Sequence, residues 1–190
     1  IWMGSKQDGL FRLERTGENR FKIRQFTHQK DDPYSLSYNS IYTIFQDSKN
    51  RIWVGCYGGG LNLIEETQEG NIRFLHSGNK LTGYSKDRFA KVRYITEANQ
   101  VLLVGTTEGL LTFSSEFTQP EQIEFYRNIR IPDKVSSLCS NDVIYIYTDS
   151  RKDTYVLSFT GGLNKILSEN LLSNEIEFKT YTTQNGLPSD

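Results

Sequence analysis

The sequence predicts an all-β fold assembled from repeated four-stranded antiparallel units, the build of a β-propeller, and three observations carry that expectation. An apolar, glycine-containing block recurs four times along the 190 residues at a period of about 50 residues, the spacing of propeller blades. Composition agrees, because 13% of the residues are aromatic, 15 are glycine and only one is methionine, a profile of sheets and tight turns. No stretch sustains a 3.6-residue apolar period with capping residues, so little or no helix is expected.

The first copy of the block is Ile1-Trp2-Met3-Gly4, followed by Gly9-Leu10. The second, Ile52-Trp53-Val54-Gly55 with Gly59-Gly60-Leu61, aligns with it without a gap. A third reads Leu102-Leu103-Val104-Gly105 with Gly109-Leu110, one residue shorter in its turn. The fourth is Thr154-Tyr155-Val156-Leu157 with Gly161-Gly162-Leu163, where Leu157 replaces the first glycine and Tyr155 the tryptophan. A companion block precedes the complete copies: Asn39, Ile41, Ile44 and Asp47 stand before Trp53 at the offsets at which Asn141, Val143, Ile146 and Asp149 stand before Tyr155. Val92 and Ile95 fill its apolar places in the third unit.

Each unit reads as four short strands separated by turn residues. In the second unit the strands are expected at residues 41–46, 52–56, 61–65 and 73–77. Asp and Asn suit the turns because their side chains bond nearby backbone and tolerate left-handed dihedrals, and Gly accepts positive φ. The boundaries are then an incomplete blade at 1–30, blades at 31–80, 81–130 and 131–184, and at 185–190 the lead-in to another, since Asn185-Gly186-Leu187-Pro188-Ser189-Asp190 is similar to the segment from Asp32 to Asn39. A single blade cannot bury both faces, so Trp2, Trp53, Leu103 and Tyr155 are expected between neighbouring blades. A solenoid is the other architecture that such a period allows.

The 22 basic and 23 acidic residues leave a formal charge of -1, so no global field draws the chain to nucleic acid or to an anionic membrane. No apolar run approaches the about 20 residues of a membrane span, and no signal-peptide layout opens the sequence. Direct membrane insertion is not expected. Cys56 and Cys139 are too few for a disulfide framework or a cysteine-based zinc site, and buried free thiols are the commoner state.

The order Asn-x-(Val/Ile)-x-x-Ile-x-x-Asp, then Ile-Trp-(Val/Met)-Gly, then Gly-Gly-Leu, with a Pro-x-Ser-Leu-Ser lead-in, resembles the two-component regulator propeller repeat. The resemblance is close in units one and two, fair in unit three and loosest in unit four, where Leu157 breaks the core motif. The strand count makes about 3.75 blades, expected to be part of a seven-bladed ring, and the resemblance implies the periplasmic sensor region of a hybrid sensor histidine kinase of the inner membrane. It further implies an oligosaccharide ligand released from a glycan, with the kinase outside this chain.

Among candidate chemical groups, Tyr34, Tyr38, Tyr57 and Tyr84 fall in expected loops at blade ends, where exposed aromatics stack on sugar rings. Loop packing is the competing role for each. The run Tyr57-Gly58-Gly59-Gly60 reads as a turn rather than a phosphate loop, because a strand follows where a helix N-terminus is needed. His28 and His76 fall at the ends of fourth strands on one rim, without the partners of a metal site, and the better expectation for both is a place on the surface. Asp47 and Asp149 recur at one blade position, which fits a turn cap needed in every blade better than an acid/base pair needed once. No catalytic constellation, metal site or cofactor motif stands out. The sequence reading is a non-catalytic ligand-sensing module; a scaffold for a protein partner and a carbohydrate-active propeller enzyme are its rivals. The remaining blades of the parent ring, or a second copy of the chain, are expected to cover the apolar faces left at both ends. The structural blade motif comprises Trp2, Gly4, Gly9, Asp47, Trp53, Gly55, Gly60, Gly105, Gly109, Asp149, Tyr155 and Gly162.

Overall fold

The computed structural model describes residues 1–188; Ser189 and Asp190, the end of the expected lead-in, lie outside the described residues. Fifteen strands form one three-stranded and three four-stranded antiparallel sheets, as the repeat predicts. The first sheet contains β1 (Trp2–Gly4), β2 (Leu10–Gly17) and β3 (Arg20–Phe26). The second contains β4 (Ile41–Gln46), β5 (Ile52–Cys56), β6 (Gly60–Glu66) and β7 (Ile72–Leu75). The third runs through β8 (Val92–Ala98), β9 (Val101–Thr106), β10 (Gly109–Ser114) and β11 (Tyr126–Asn128). The fourth has β12 (Val143–Thr148), β13 (Thr154–Ser158), β14 (Gly162–Ile166) and β15 (Phe178–Tyr181). Among the described residues helix is confined to the single turn α1 (Lys86–Phe89) and two 3-10 turns at Pro120–Gln122 and Thr183–Asn185.

The first strands of successive sheets lie against one another, β4 on β8 and β8 on β12, which makes them the inner edge of the array. The turns between second and third strands share one end of the sheets with the loops that lead from one blade to the next; this is called the upper end below.

Three apolar clusters fill the three joints between blades. Leu10, Leu36, Ile41, Val54 and Phe74 fill the first, with Trp2 and Phe26 against them. Trp53, Leu61, Val92, Leu111 and Phe113 occupy the second, and Leu103, Leu110, Val143, Val156 and Phe178 the third. Trp53 is 0% exposed and meets Phe113 edge-on, centroids 5.1 Å apart, an arrangement that adds to its area burial. Leu103 is fully buried in the third joint. Tyr155 takes the equivalent place in the fourth sheet, but no blade in this chain covers it, and it is half-buried with Lys165 over its ring.

The first glycine of the motif makes close packing possible. A Cβ on Gly4 would stand 2.5 Å from Ile41 Cγ2, one on Gly55 2.5 Å from Val92 Cγ1, and one on Gly105 2.7 Å from Val143 Cγ1. The head of each following first strand therefore presses into a gap that any side chain would fill. Leu157, at this position in the last sheet, lies on a free face and is 36% exposed. The second glycine, at Gly9, Gly60, Gly109 and Gly162, opens each third strand with positive φ, which no β-carbon-bearing residue adopts cheaply.

The repeated polar residues prove structural. Asp47 Oδ1 accepts from the backbone N–H of Lys49 and Arg51, while Oδ2 accepts from Arg51 Nε and the Trp53 indole at 2.7 and 2.8 Å. Asp149 makes the same backbone turn with Arg151 and Asp153. Asn39 and Asn141 accept from the N–H of His28 and Arg130, tying each fourth strand's end to the next first strand.

Candidate functional site

Groups that every blade needs recur in every blade; a site specific to one ligand is built from positions that the repeat leaves free to differ. Two such positions meet at the upper end of the inner edge. One is the extra residue of a β-bulge at the head of each first strand, where register shifts between Ile41 and Thr43, Val92 and Tyr94, and Val143 and Tyr145. Bulges of this kind re-aim a side chain, and the residues re-aimed are Tyr42, Arg93 and Ile144. The other opens the turn after each second strand and holds Lys6, Tyr57, Thr107 and Phe159.

Between the first three blades these positions form one stack. The rings of Tyr42 and Tyr57 lie 4.6 Å apart at 20°. Lys6 Nζ lies 6.0 Å from the Tyr42 centroid, and Lys91 Nζ and Arg93 Cζ lie 5.4 and 5.5 Å from that of Tyr57. Arg93 is held in turn by Asp142, through Nε to Oδ1 and a second bond to Oδ2 at 2.8 Å. Hydrogen bonding to Asp142 raises the Arg93 pKa against the opposing effect of burial. The backbone beneath is fixed, since Gly58 and Gly60 N–H both donate to Ala90 O at 2.8 Å and Tyr57 bridges Lys91.

Beside the stack is a cleft of about 520 Å³ lined by Lys6, Gln7, His28, Tyr38, Asn39, Ser40 and Tyr57. His28 also borders a second cleft of about 410 Å³, whose walls include Ser37, His76, Tyr84, Ser85, Lys86 and Asp87. Both have the volume of small-ligand sites.

The four tyrosines singled out from sequence separate here. Tyr38 and Tyr57 line the same cleft, and Tyr38 is 48% exposed. Tyr34 is half-buried against the core with Arg73 over its ring at 5.1 Å. Tyr84 corrects the expectation of an exposed aromatic: it is 3% exposed. Its hydroxyl donates to Phe89 O at 2.6 Å, and desolvation pushes its pKa well above the ordinary phenol value. The reason lies in Gly60, which has no side chain and lets the Tyr84 ring pack where a Cβ would be 2.6 Å away.

His28 and His76 do share a rim. His28 is exposed but His76 is half-buried, and burial lowers its pKa, with Lys86 adding repulsion. Gly78 N–H donates to His76 Nδ1, which suits the neutral ring. Among the described residues no group of three or more His, Cys, Asp or Glu side chains is placed to hold a metal ion. Both cysteines are free, Cys56 buried and Cys139 half-buried. Burial raises the Cys56 pKa to about 11, against smaller opposing hydrogen bonds with Ser37, Tyr38 and Asn62. Sequence reasoning missed Lys6, Tyr42, Lys91, Arg93 and Asp142. The available signal was the blade-to-blade variation at aligned positions.

Sheets of this order, inner-edge contact and repeated interblade packing define a segment of β-propeller. A family model described as two component regulator propeller matches residues 35–58, within the second blade and its lead-in. Solved structures share the fold, two extracellular domains among them. The extracellular domain of BT3049 of B. thetaiotaomicron, described as a hybrid two component system, is 19% identical with a TM-score of 0.67 over 99% of this chain and 22% of its own. That of BT4673 from the same organism, described likewise, is 18% identical with a TM-score of 0.59, covering 93% of this chain and 23% of its own. The chain thus spans less than a quarter of either. No curated protein matches. No helix among the described residues is long and apolar enough to cross a membrane.

Proposed function

We propose that this chain is part of a non-catalytic, extracytoplasmic ligand-sensing propeller of a two-component sensor kinase, and that its ligand is an oligosaccharide bound at the upper rim. The observation that carries this reading is the concentration of blade-specific polar and aromatic residues beside the 520 Å³ cleft, on a framework whose other repeated residues are committed to turns and joints. The family match and the fold likeness to extracellular domains of two-component systems support it. On this reading the parent protein sits in the inner membrane with the propeller in the periplasm. Signalling then requires that the ligand bind two arrangements of the sensor with different affinity.

Titration calorimetry of the chain against a panel of glycan fragments tests the proposal. Saturable binding by at least one fragment, weakened by Tyr57→Ala, is the expected result. No heat from any fragment contradicts sugar sensing.

A further inference from the structure

His76 follows the last strand of the second blade and opens the link, residues 76–91, that carries the chain into the third. That link seats Leu81 and Tyr84 in the middle joint, and its fold is gathered around His76. The N–H groups of Asn79, Lys80 and Leu81 all donate to His76 O at 3.0–3.2 Å, and Asn79 Nδ2 ties the link to the preceding lead-in by donating to Pro33 O at 2.8 Å. The ring itself serves as an acceptor. Gly78 N–H donates to Nδ1 at 3.0 Å, which takes the lone pair of that nitrogen, and the ring also meets the carbonyls of Ser35 and Pro33. A proton on Nδ1 would set two N–H groups against each other.

The surroundings of the ring are cationic. The 410 Å³ cleft brings His28 from the lead-in and Lys86 from α1 to its walls beside His76, and both disfavour charge on it. Exposed Asp87 supplies the carboxylate on that wall. In the lead-in, Asp32 accepts the Tyr34 N–H at 2.9 Å, while Lys80 is turned away to Glu121. The buried Cys56 thiol stays protonated at neutral pH. Among the described residues neither histidine forms an ion pair.

We propose that His76 is an acid-released catch on the link between the second and third blades: neutral, its ring holds the link closed over the middle joint, and protonated, beside His28 and Lys86, it lets the link open. Folding lowers the His76 pKa below 6.5, first through burial and then through Lys86. As pH falls through that value the open link therefore takes up a proton that the closed link refuses, and the opening equilibrium gains about tenfold for each unit of lowering. The second cleft shares His28 with the first, so the release alters a wall of both. The proposal stands apart from the saccharide reading.

The test is NMR of the chain, following the His76 ring through a pH titration and amide hydrogen exchange at about pH 7.5 and about pH 5, each rate divided by the intrinsic rate at that pH. His76 is expected to titrate below the ordinary histidine value. Protection of the Gly78, Leu81 and Tyr84 amides should fall at the lower pH relative to that of Leu103, which lies in the histidine-free third joint. Lys86→Gln, a change at an exposed position, should bring the His76 pKa back toward 6.5 and shrink the loss. His76→Asn, whose Oδ1 takes the place of Nδ1 without titrating, should abolish it. A His76 that titrates at or above 6.5, or Gly78 protection that is the same at both pH values, overturns the proposal. So does a loss of protection that persists in His76→Asn.

Discussion

Asp47 accepts four hydrogen bonds from three residues and is 4% exposed. Asp47→Ala strands the Trp53 indole N–H and takes from the Arg51 guanidinium its ion-pair partner, leaving it Ser115 O alone, and should cost about 3 kcal/mol in urea unfolding. Asp149→Ala should cost about 1 kcal/mol, because that carboxylate caps backbone alone; equal losses at the two sites would contradict the distinction. Trp53→Ala, emptying the middle joint, should cost about 3–5 kcal/mol. Cys56 supplies pH dependence at the alkaline end. Its pKa rises on folding from 9.0 to about 11, so above pH 9 the unfolded chain releases a proton that the folded chain retains. Stability should therefore begin to fall at pH 9, with buried Tyr84 adding to the decline above pH 10, and Cys56→Ala should flatten the first part of that decline in pH-dependent unfolding. The turn role of Asp47 was legible because it recurs with Asp149. Its bond to the indole was not, since nothing in the spacing says which way a buried carboxylate's second oxygen points.

At the scale of the element, the blade joint depends on a missing side chain. Gly55→Ala places a Cβ 2.5 Å from both Thr43 Cγ2 and Val92 Cγ1, so it should destabilise by about 1–3 kcal/mol through overpacking. Combined with Val92→Ala, which removes one of the two closest clashes, the loss should be less than the sum of the two single changes; strict additivity in a double-mutant cycle would show that the contact is not what the glycine serves. Strand order and number were readable here because Asn, Asp and Gly punctuate each unit at fixed offsets, and the expected strands at 41–46 and 52–56 coincide with β4 and β5. The β-bulges were not readable. An inserted residue changes no apolar position on either side of it, so Tyr42 and Arg93 look like ordinary strand residues until the register is seen. Tyr84 falls in the loop expected of it, but its burial was not readable for a related reason: a loop aromatic looks exposed unless the glycine that it packs against is known to be its neighbour.

For the whole molecule, both outer sheet faces carry apolar groups that elsewhere in the chain are covered. Met3, Phe21 and Ile23 are exposed on the first sheet, and Tyr145, Tyr147 and Leu157 on the last. Patches of this kind mark contact surfaces, so the chain should associate at high concentration, and Leu157→Arg should weaken that association in sedimentation velocity; a monomer at every concentration would count against it. The same two faces explain why the ring's size and the ligand's identity were beyond sequence reading, because both depend on what covers these surfaces. Binding at the upper rim is the central claim, and an amide-proton NMR titration with an oligosaccharide tests it most directly. The account predicts saturable shifts concentrated at Lys6, Tyr42, Tyr57 and Arg93, with the turns at Asp47 and Asp149 unmoved. Shifts confined to those lower turns, or none with any sugar, would contradict it.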